Sequence, residues 1–247
     1  HNPVLLAEQI ATLDLLSDGR VDAGIGKGYR QREFEGFSIP FKEADARFEE
    51  CLDVMMKAWT SDTPWSHKGT YWQYDDIVVE PPSVQKPHPK LWMGAGSPRS
   101  VKQVAKYGFD MLLGQFDSFE NVIEEIAMFK SDVEAQGRTY DPTSVAVARS
   151  VNIVDSKAEY DQAMENRMVA RRRTQNLAQR PDFVDTQEIA EHGTIYGSPE
   201  YVSEKIQGLK DAGVEYVLLN CPGGIETLRR FAKEVMPAFA GSPKVTA

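Results

Sequence analysis

The feature that most constrains this chain is a recurring alternation. Short apolar runs, each closed by Gly, Asp, Ser or Asn, are followed by stretches whose apolar residues recur at helical spacing. The runs are Val21 to Ile25, Leu91 to Ala95, Asp110 to Gln115, Val145 to Val154 and Tyr216 to Cys221. Runs this short, bounded by turn residues, suit the strands of a parallel sheet covered by helices. Between them, Glu43 to Thr60 sets Ala44, Phe48, Leu52, Met55 and Trp59 on one face, and Asp117 to Gln136 does the same with Phe119, Val122, Ile126, Phe129 and Val133. The fold class is therefore α/β, either an open doubly wound sheet or a closed (β/α)8 barrel. A barrel needs eight strands and five are legible, so about three βα units, on the order of 90 residues, are expected ahead of His1. Consistent with that expectation, the chain opens directly on a helix cap, Asn2, with Pro3 at the first helical position. The reading is one barrel domain over 1–247, incomplete at its N-terminus.

The remaining segments fit around this frame. The opening helix carries Leu6, Ile10 and Leu13 at helical spacing and stops at Gly19. Residues 61–89 form a long loop or hairpin excursion in which Trp65, Tyr71, Trp72 and Tyr74 either pack the hairpin, the favoured reading, or wall a substrate. Ser156 and Glu159 form a capping box for the next helix, and Arg171, Arg172 and Arg173 read as a solvated face. The polar stretch 174–196 is a candidate lid. Ile225 to Phe239 reads as the last helix, with Leu228, Phe231 and Val235 on one side.

With 247 residues and 41% hydrophobic content the chain can bury a substantial core. A net charge of −9 argues against nucleic acid or an anionic membrane surface as partner. Two cysteines, Cys51 and Cys221, lie far apart, and the four histidines lack metal-ligand spacing, so neither a disulfide framework nor a metal site is expected. No stretch approaches the roughly 20 apolar residues of a membrane span, and a cytoplasmic location is expected.

In a barrel, chemistry gathers at the C-terminal ends of the strands. There the first run meets Gly24, Gly26 and Gly28 with Lys27 among them. A dinucleotide fingerprint is excluded, because Tyr29 and the following Phe34-Glu35-Gly36 break its spacing, and no Gly-Lys-Ser/Thr phosphate loop occurs. The second run ends on Gly94-Ala95-Gly96, followed by Ser97 as helix cap, Pro98 and Ser100. A helix start with free amides, two hydroxyls and adjacent glycines is a ready phosphate cradle, for which Lys27 offers a neutralising charge. Gly114-Gln115, Arg149 to Asn152 and Asn220 to Pro222 are the other strand-end positions. A second helix start, Gly197-Ser198-Pro199, is read as plain capping because no strand of comparable apolar strength feeds it.

These pieces together resemble the bacterial luciferase-like flavin-dependent monooxygenase family. The likeness is carried by the segment from His1 to Arg20, by Gly24-Ile-Gly-Lys-Gly-Tyr with Glu33-Phe-Glu-Gly-Phe, by Gly94-Ala-Gly-Ser-Pro, and by Tyr196-Gly-Ser-Pro-Glu with Leu209-Lys-Asp-Ala-Gly-Val. It implies a barrel that binds reduced FMN, reacts it with O2 and oxygenates a small organic substrate, with a separate flavin reductase as supplier and a homodimer as assembly. It further implies Lys27 at the flavin phosphate, Gly28 and Tyr29 as cofactor-binding residues beside it, Ser97 and Ser100 as hydroxyls on the phosphate, Gly94, Ala95 and Gly96 as backbone beside the cofactor, and Gln115 near the ring. Catalytic residues are not assigned, because the family's first three strands usually supply them. Two alternatives remain: a dehydrogenase that passes hydride with a deazaflavin coenzyme on the same barrel, and a non-catalytic partner subunit.

Overall fold

The computed structural model describes residues 1–115, 117–178 and 186–240, with side chains for all of these except 174–178. It divides into two units, His1–Met93 and Gly94–Ala247.

In the first unit, helix α1 (Pro3–Leu16) starts where Asn2 Oδ1 accepts the amides of Val4 and Leu5 at 3.0 and 3.1 Å. Its buried face is Pro3, Ala7, Ala11 and Asp14, whereas Leu13 is 56% exposed. The expected stripe of Leu6, Ile10 and Leu13 is thus not the packed one. Apolar residues occur all round this helix, so spacing alone does not select a face. Small alanines let α3 (Ala44–Thr60) approach, and the Trp59 indole N–H donates to the Ala7 carbonyl at 3.1 Å. As expected, α3 buries Leu52, Met55 and Trp59. Strand β1 (Asp22–Ile25) runs parallel to β4 (Lys90–Ala95), with Ile25 opposite Met93, and a short helix, α2 (Gln31–Gly36), follows β1.

The excursion contains an antiparallel hairpin, β2 (Trp65–Lys68) with β3 (Gln73–Ile77). Glu50 of α3 holds its turn. The carboxylate accepts the amides of Thr70, Tyr71 and Trp72 at 2.9 to 3.1 Å and meets His67 Nε2 at 3.2 Å. Burial alone would raise the Glu50 pKa, but those amide bonds outweigh it and hold the carboxyl below its ordinary value. Trp65 is buried with its ring edge-on to Tyr74, and Tyr71 lies under the Arg47 guanidinium at 4.2 Å.

In the second unit, α4 (Pro98–Tyr107) leads to β5 (Asp110–Leu113), α5 (Phe119–Ala135), β6 (Val145–Ile153), α6 (Lys157–Ala178), α7 (Gln187–His192), β7 (Thr194–Gly197), α8 (Pro199–Asp211), β8 (Tyr216–Asn220) and α9 (Gly224–Arg230). Short π and 3-10 turns continue the last helix from Phe231 to Ala238. Strand β6 is the hub. It pairs in parallel with β5 from Val145, with β8 over Ala146 to Ser150, and with β7 over Ser150 to Ile153. This is the expected α/β alternation with one addition: β7 does feed the Gly197-Ser198-Pro199 helix start, although it is only four residues long. A second correction concerns the three arginines. Arg172 and Arg173 are exposed, but Arg171 is 5% exposed and Arg167, one turn earlier on the same helix, is 8% exposed. Part of the candidate lid, 179–185, lies outside the described residues; on either side of it are the end of α6 and the α7 to β7 segment. Among the described residues no helix is long and apolar enough to cross a membrane.

Candidate functional site

In the second unit a cavity of about 400 Å³ opens at the C-terminal ends of the strands. Gly94 and Ala95 from the end of β4 line it, with Leu113, Gly114 and Gln115 after β5, Ala148 of β6, and Leu218, Leu219 and Asn220 of β8. Its size is within the range of roughly 300 to 1,000 Å³ common for small-molecule and cofactor sites. The walls are aliphatic and the polar groups few. Asn220 Nδ2 donates to Gln115 Oε1 at 3.0 Å, so two carboxamides 105 residues apart in sequence meet at its edge.

Gly94 and Gly96 each have open space where a side chain would stand, with no atom within 4 Å of a built Cβ. Two residues past the cavity lining, Ser97 caps α4. Ser97 Oγ accepts the Ser100 amide at 3.3 Å, and Ser100 Oγ accepts the amides of Gly96 and Ser97 at 3.2 and 3.0 Å. Two amides and two hydroxyls therefore converge at one helix start, all exposed to solvent. Both amides donate to Ser100 Oγ here rather than standing free as the sequence suggests, and with that hydroxyl turned aside the set, backed by the positive end of the helix dipole, suits a phosphate. The rival helix start lacks that openness. A Cβ on Gly197 would lie 2.6 Å from the Tyr201 ring, and Ser198 Oγ simply accepts the Tyr201 amide at 3.3 Å.

Lys27, Gly28 and Tyr29 belong to the first unit. The Lys27 ammonium is ion-paired with Asp45 at the start of α3, a partner that sequence inspection did not suggest. Gly28 has φ +81°, and a Cβ there would press on the Phe34 ring at 3.2 Å, so this glycine serves the turn. Tyr29 is 47% exposed, with the Arg30 guanidinium over its ring at 5.5 Å. The same unit holds its own cavity of about 680 Å³, mainly apolar, between α1 and α3. Leu6, Ile10, Phe48, Met55 and Trp72 line it, with Lys27 and Arg47 as charged groups.

A buried charge cluster adjoins the strand-end cavity. Arg149 is completely buried. Burial draws its pKa down to about 10, against the attraction of Asp117 and Glu125. Burial raises Asp117, with Arg149 and Arg171 opposing it, and pushes Glu125 up to about 7, helped by the nearby Asp117 charge. In the sequence Arg149 stands out only as a strand-end position. An arginine between valine-rich neighbours gives no local sign of facing a helix-covered interior.

Comparison with known proteins follows the same outline. A family model described as luciferase-like monooxygenase matches residues 1–216. An FMNH2-dependent dimethylsulfone monooxygenase of Pseudomonas putida is 23% identical across 96% of this chain and 70% of its own length. An F420-dependent glucose-6-phosphate dehydrogenase of Amycolatopsis mediterranei is 25% identical across 96% of this chain and 75% of its own. An uncharacterized protein, y4vJ, of Sinorhizobium fredii is 27% identical over 73% of this chain, which spans about half of that protein (51%). The crystal structure of monooxygenase RslO1 from Streptomyces bottropensis superposes with a TM-score of 0.80 over 97% of this chain and 75% of its own, at 22% identity. The family match spans most of the sequence and the fold agrees with it: this chain belongs to the luciferase-like monooxygenase family.

Proposed function

We propose that the protein is a flavin-dependent monooxygenase that uses reduced FMN and O2 to oxygenate a small organic substrate, and that its strands are part of a (β/α)8 barrel. The observation that carries this reading is the open backbone at Gly94 and Gly96, leading from an aliphatic cavity to the amides and hydroxyls at the start of α4. The aliphatic walls suit a flat ring system, with the Gln115 and Asn220 carboxamides as hydrogen-bonding groups at its edge. Gly96, Ser97 and Ser100 would hold the phosphate. When bound, the reduced flavin supplies the electrons for oxygen chemistry. The chain's own residues bind it, orient the ring and exclude water from it. Lys27 stays a proposed phosphate contact on the sequence of its loop. An exposed pair such as Lys27–Asp45 is worth only about 0 to 1 kcal/mol, so Lys27 can exchange its anion cheaply. Gly28 and Tyr29 accompany it in that proposal. A separate reductase as source of reduced FMN and a homodimer complete it.

The second reading is a dehydrogenase that passes hydride with a deazaflavin, favoured by the F420-dependent relative that matches 96% of this chain. Oxygen uptake with reductase-supplied FMN decides between them. Consumption above the reductase alone, with FMN bound more tightly than F420, is the expected result; tight F420 binding without oxygen uptake transfers the assignment to the dehydrogenase.

The phosphate cradle has its own test. Replacing Ser97 and Ser100 together by alanine removes at least one hydroxyl bond to a charged acceptor, a loss of no less than about 1.5 to 3 kcal/mol, or roughly tenfold or more in FMN affinity. Riboflavin, which has no phosphate, is expected to bind the variant and the parent alike. Equal losses for both ligands would remove the phosphate from α4.

A further inference from the structure

We infer that Arg149 is a positioning residue for the strand-end cavity, holding the turn after β5 so that Gln115 meets the cofactor; this rests on the function proposed above. Removing a guanidinium from water costs several kcal/mol unless its geometry compensates. Arg149 has 0% exposure on the central strand β6, where an aliphatic residue would pack at no such cost. Its hydrogen bonds show what compensates. Nη1 donates to the carbonyls of Gly114 and Ala148, both at 3.0 Å. Nε and Nη2 are buried without a hydrogen-bond partner among the described residues. The Asp117 and Glu125 carboxylates thus act on it through their fields, and the Phe119 ring lies 5.1 Å from the guanidinium carbon.

A structural arginine would spend its fork on one of those carboxylates. Arg149 instead spends its bonds on the backbone at the end of β5 and on its own strand. Arg167 of α6 extends this hold, with Nη2 reaching the Gln115 carbonyl at 3.4 Å. The backbone of Gly114 and Gln115 is therefore held by guanidinium groups from β6 and α6. The Gln115 side chain is held separately by Asn220. Gly114 and Gln115 both line the cavity.

The test is a double-mutant cycle read by FMN titration, with thermal unfolding as the measure of folding. Arg149→Met is expected to weaken FMN binding about tenfold and Arg149→Lys, which keeps the charge and a single donor nitrogen, about threefold. In a Gln115→Ala background neither change should cost more than about twofold, because the residue being positioned is gone. If the losses multiply independently of Gln115, or if either folded variant binds FMN like the parent, the inference is overturned. Should Arg149→Met fail to fold, the lysine variant carries the same cycle. If Gln115→Ala alone leaves FMN affinity unchanged, the cavity is not the ring site, and the proposed function loses its main support along with this inference. A Gln115→Ala loss without any Arg149 effect removes only the positioning role.

Discussion

Asp14→Ala is expected to destabilise the first unit by about 3 kcal/mol, measured by urea unfolding at neutral pH. Asp14 is fully buried at the inner face of α1. Its Oδ2 accepts the Gln85 amide and its Oδ1 the Gln85 side-chain amide, both at 2.8 Å. Gln85 in turn donates to the Val21 carbonyl at 2.7 Å and accepts the Lys90 amide at 3.3 Å. One carboxylate therefore orders a glutamine that ties the end of α1 to the entries of β1 and β4. Truncation leaves buried donors without an acceptor, which costs more than the bonds contribute when made. Burial by itself would raise the Asp14 pKa, but the Gln85 bonds win and the carboxyl titrates below its ordinary value. The folded pKa lies below the unfolded one, so this stability is complete above the ordinary carboxylate range. It is lost as the pH falls through the folded value. An Asp14→Asn variant should be less stable than the parent at pH 7, and the gap should close as the pH is lowered below about 4. A gap that stays constant with pH would mean that the charge on Asp14 contributes nothing.

Asp14 also marks where sequence reading stops. Local signals were legible: the caps Asn2, Ser97, Ser156 and Ser198 each accept an amide two or three residues ahead, a bond whose partners are neighbours in the chain. The α3 face was legible too, because only one side of that helix is apolar. On α1 the apolar residues occupy every side, and the packed face proved to be the one with alanines and an acid. Strand β7 was missed because Thr194–Gly197 is too short for a periodicity and is defined by pairing with the far end of β6. Gln115 and Asn220 were each found by the strand-end rule, but their hydrogen bond joins residues 105 apart. The burial of Arg149, Arg167 and Arg171 was illegible for a related reason. Charged side chains are covered only when distant segments bring carbonyls and carboxylates to them.

Gly94→Leu is expected to reduce FMN affinity at least 100-fold, about 2.7 kcal/mol, while leaving the thermal midpoint within a few degrees of the parent. The contrast between the two readouts follows from the position. Gly94 lies near the end of β4, its backbone is not in the left-handed region, and a Cβ there meets nothing within 4 Å. A side chain can therefore be added without backbone strain, and leucine gains some apolar contact with the aliphatic walls. The same side chain occupies space in a cavity of about 400 Å³ that the flavin ring would need. Gly94→Ala adds a single methyl and should weaken binding only a few-fold, so the series reads out volume rather than loss of glycine flexibility. Gly197→Ala is the matched control: its Cβ would press on the Tyr201 ring at 2.6 Å, so it should cost stability without a specific effect on flavin. Titration of FMN fluorescence against all three, alongside their melting curves, separates the outcomes. A folded Gly94→Leu protein that binds FMN as tightly as the parent would show that the ring lies elsewhere.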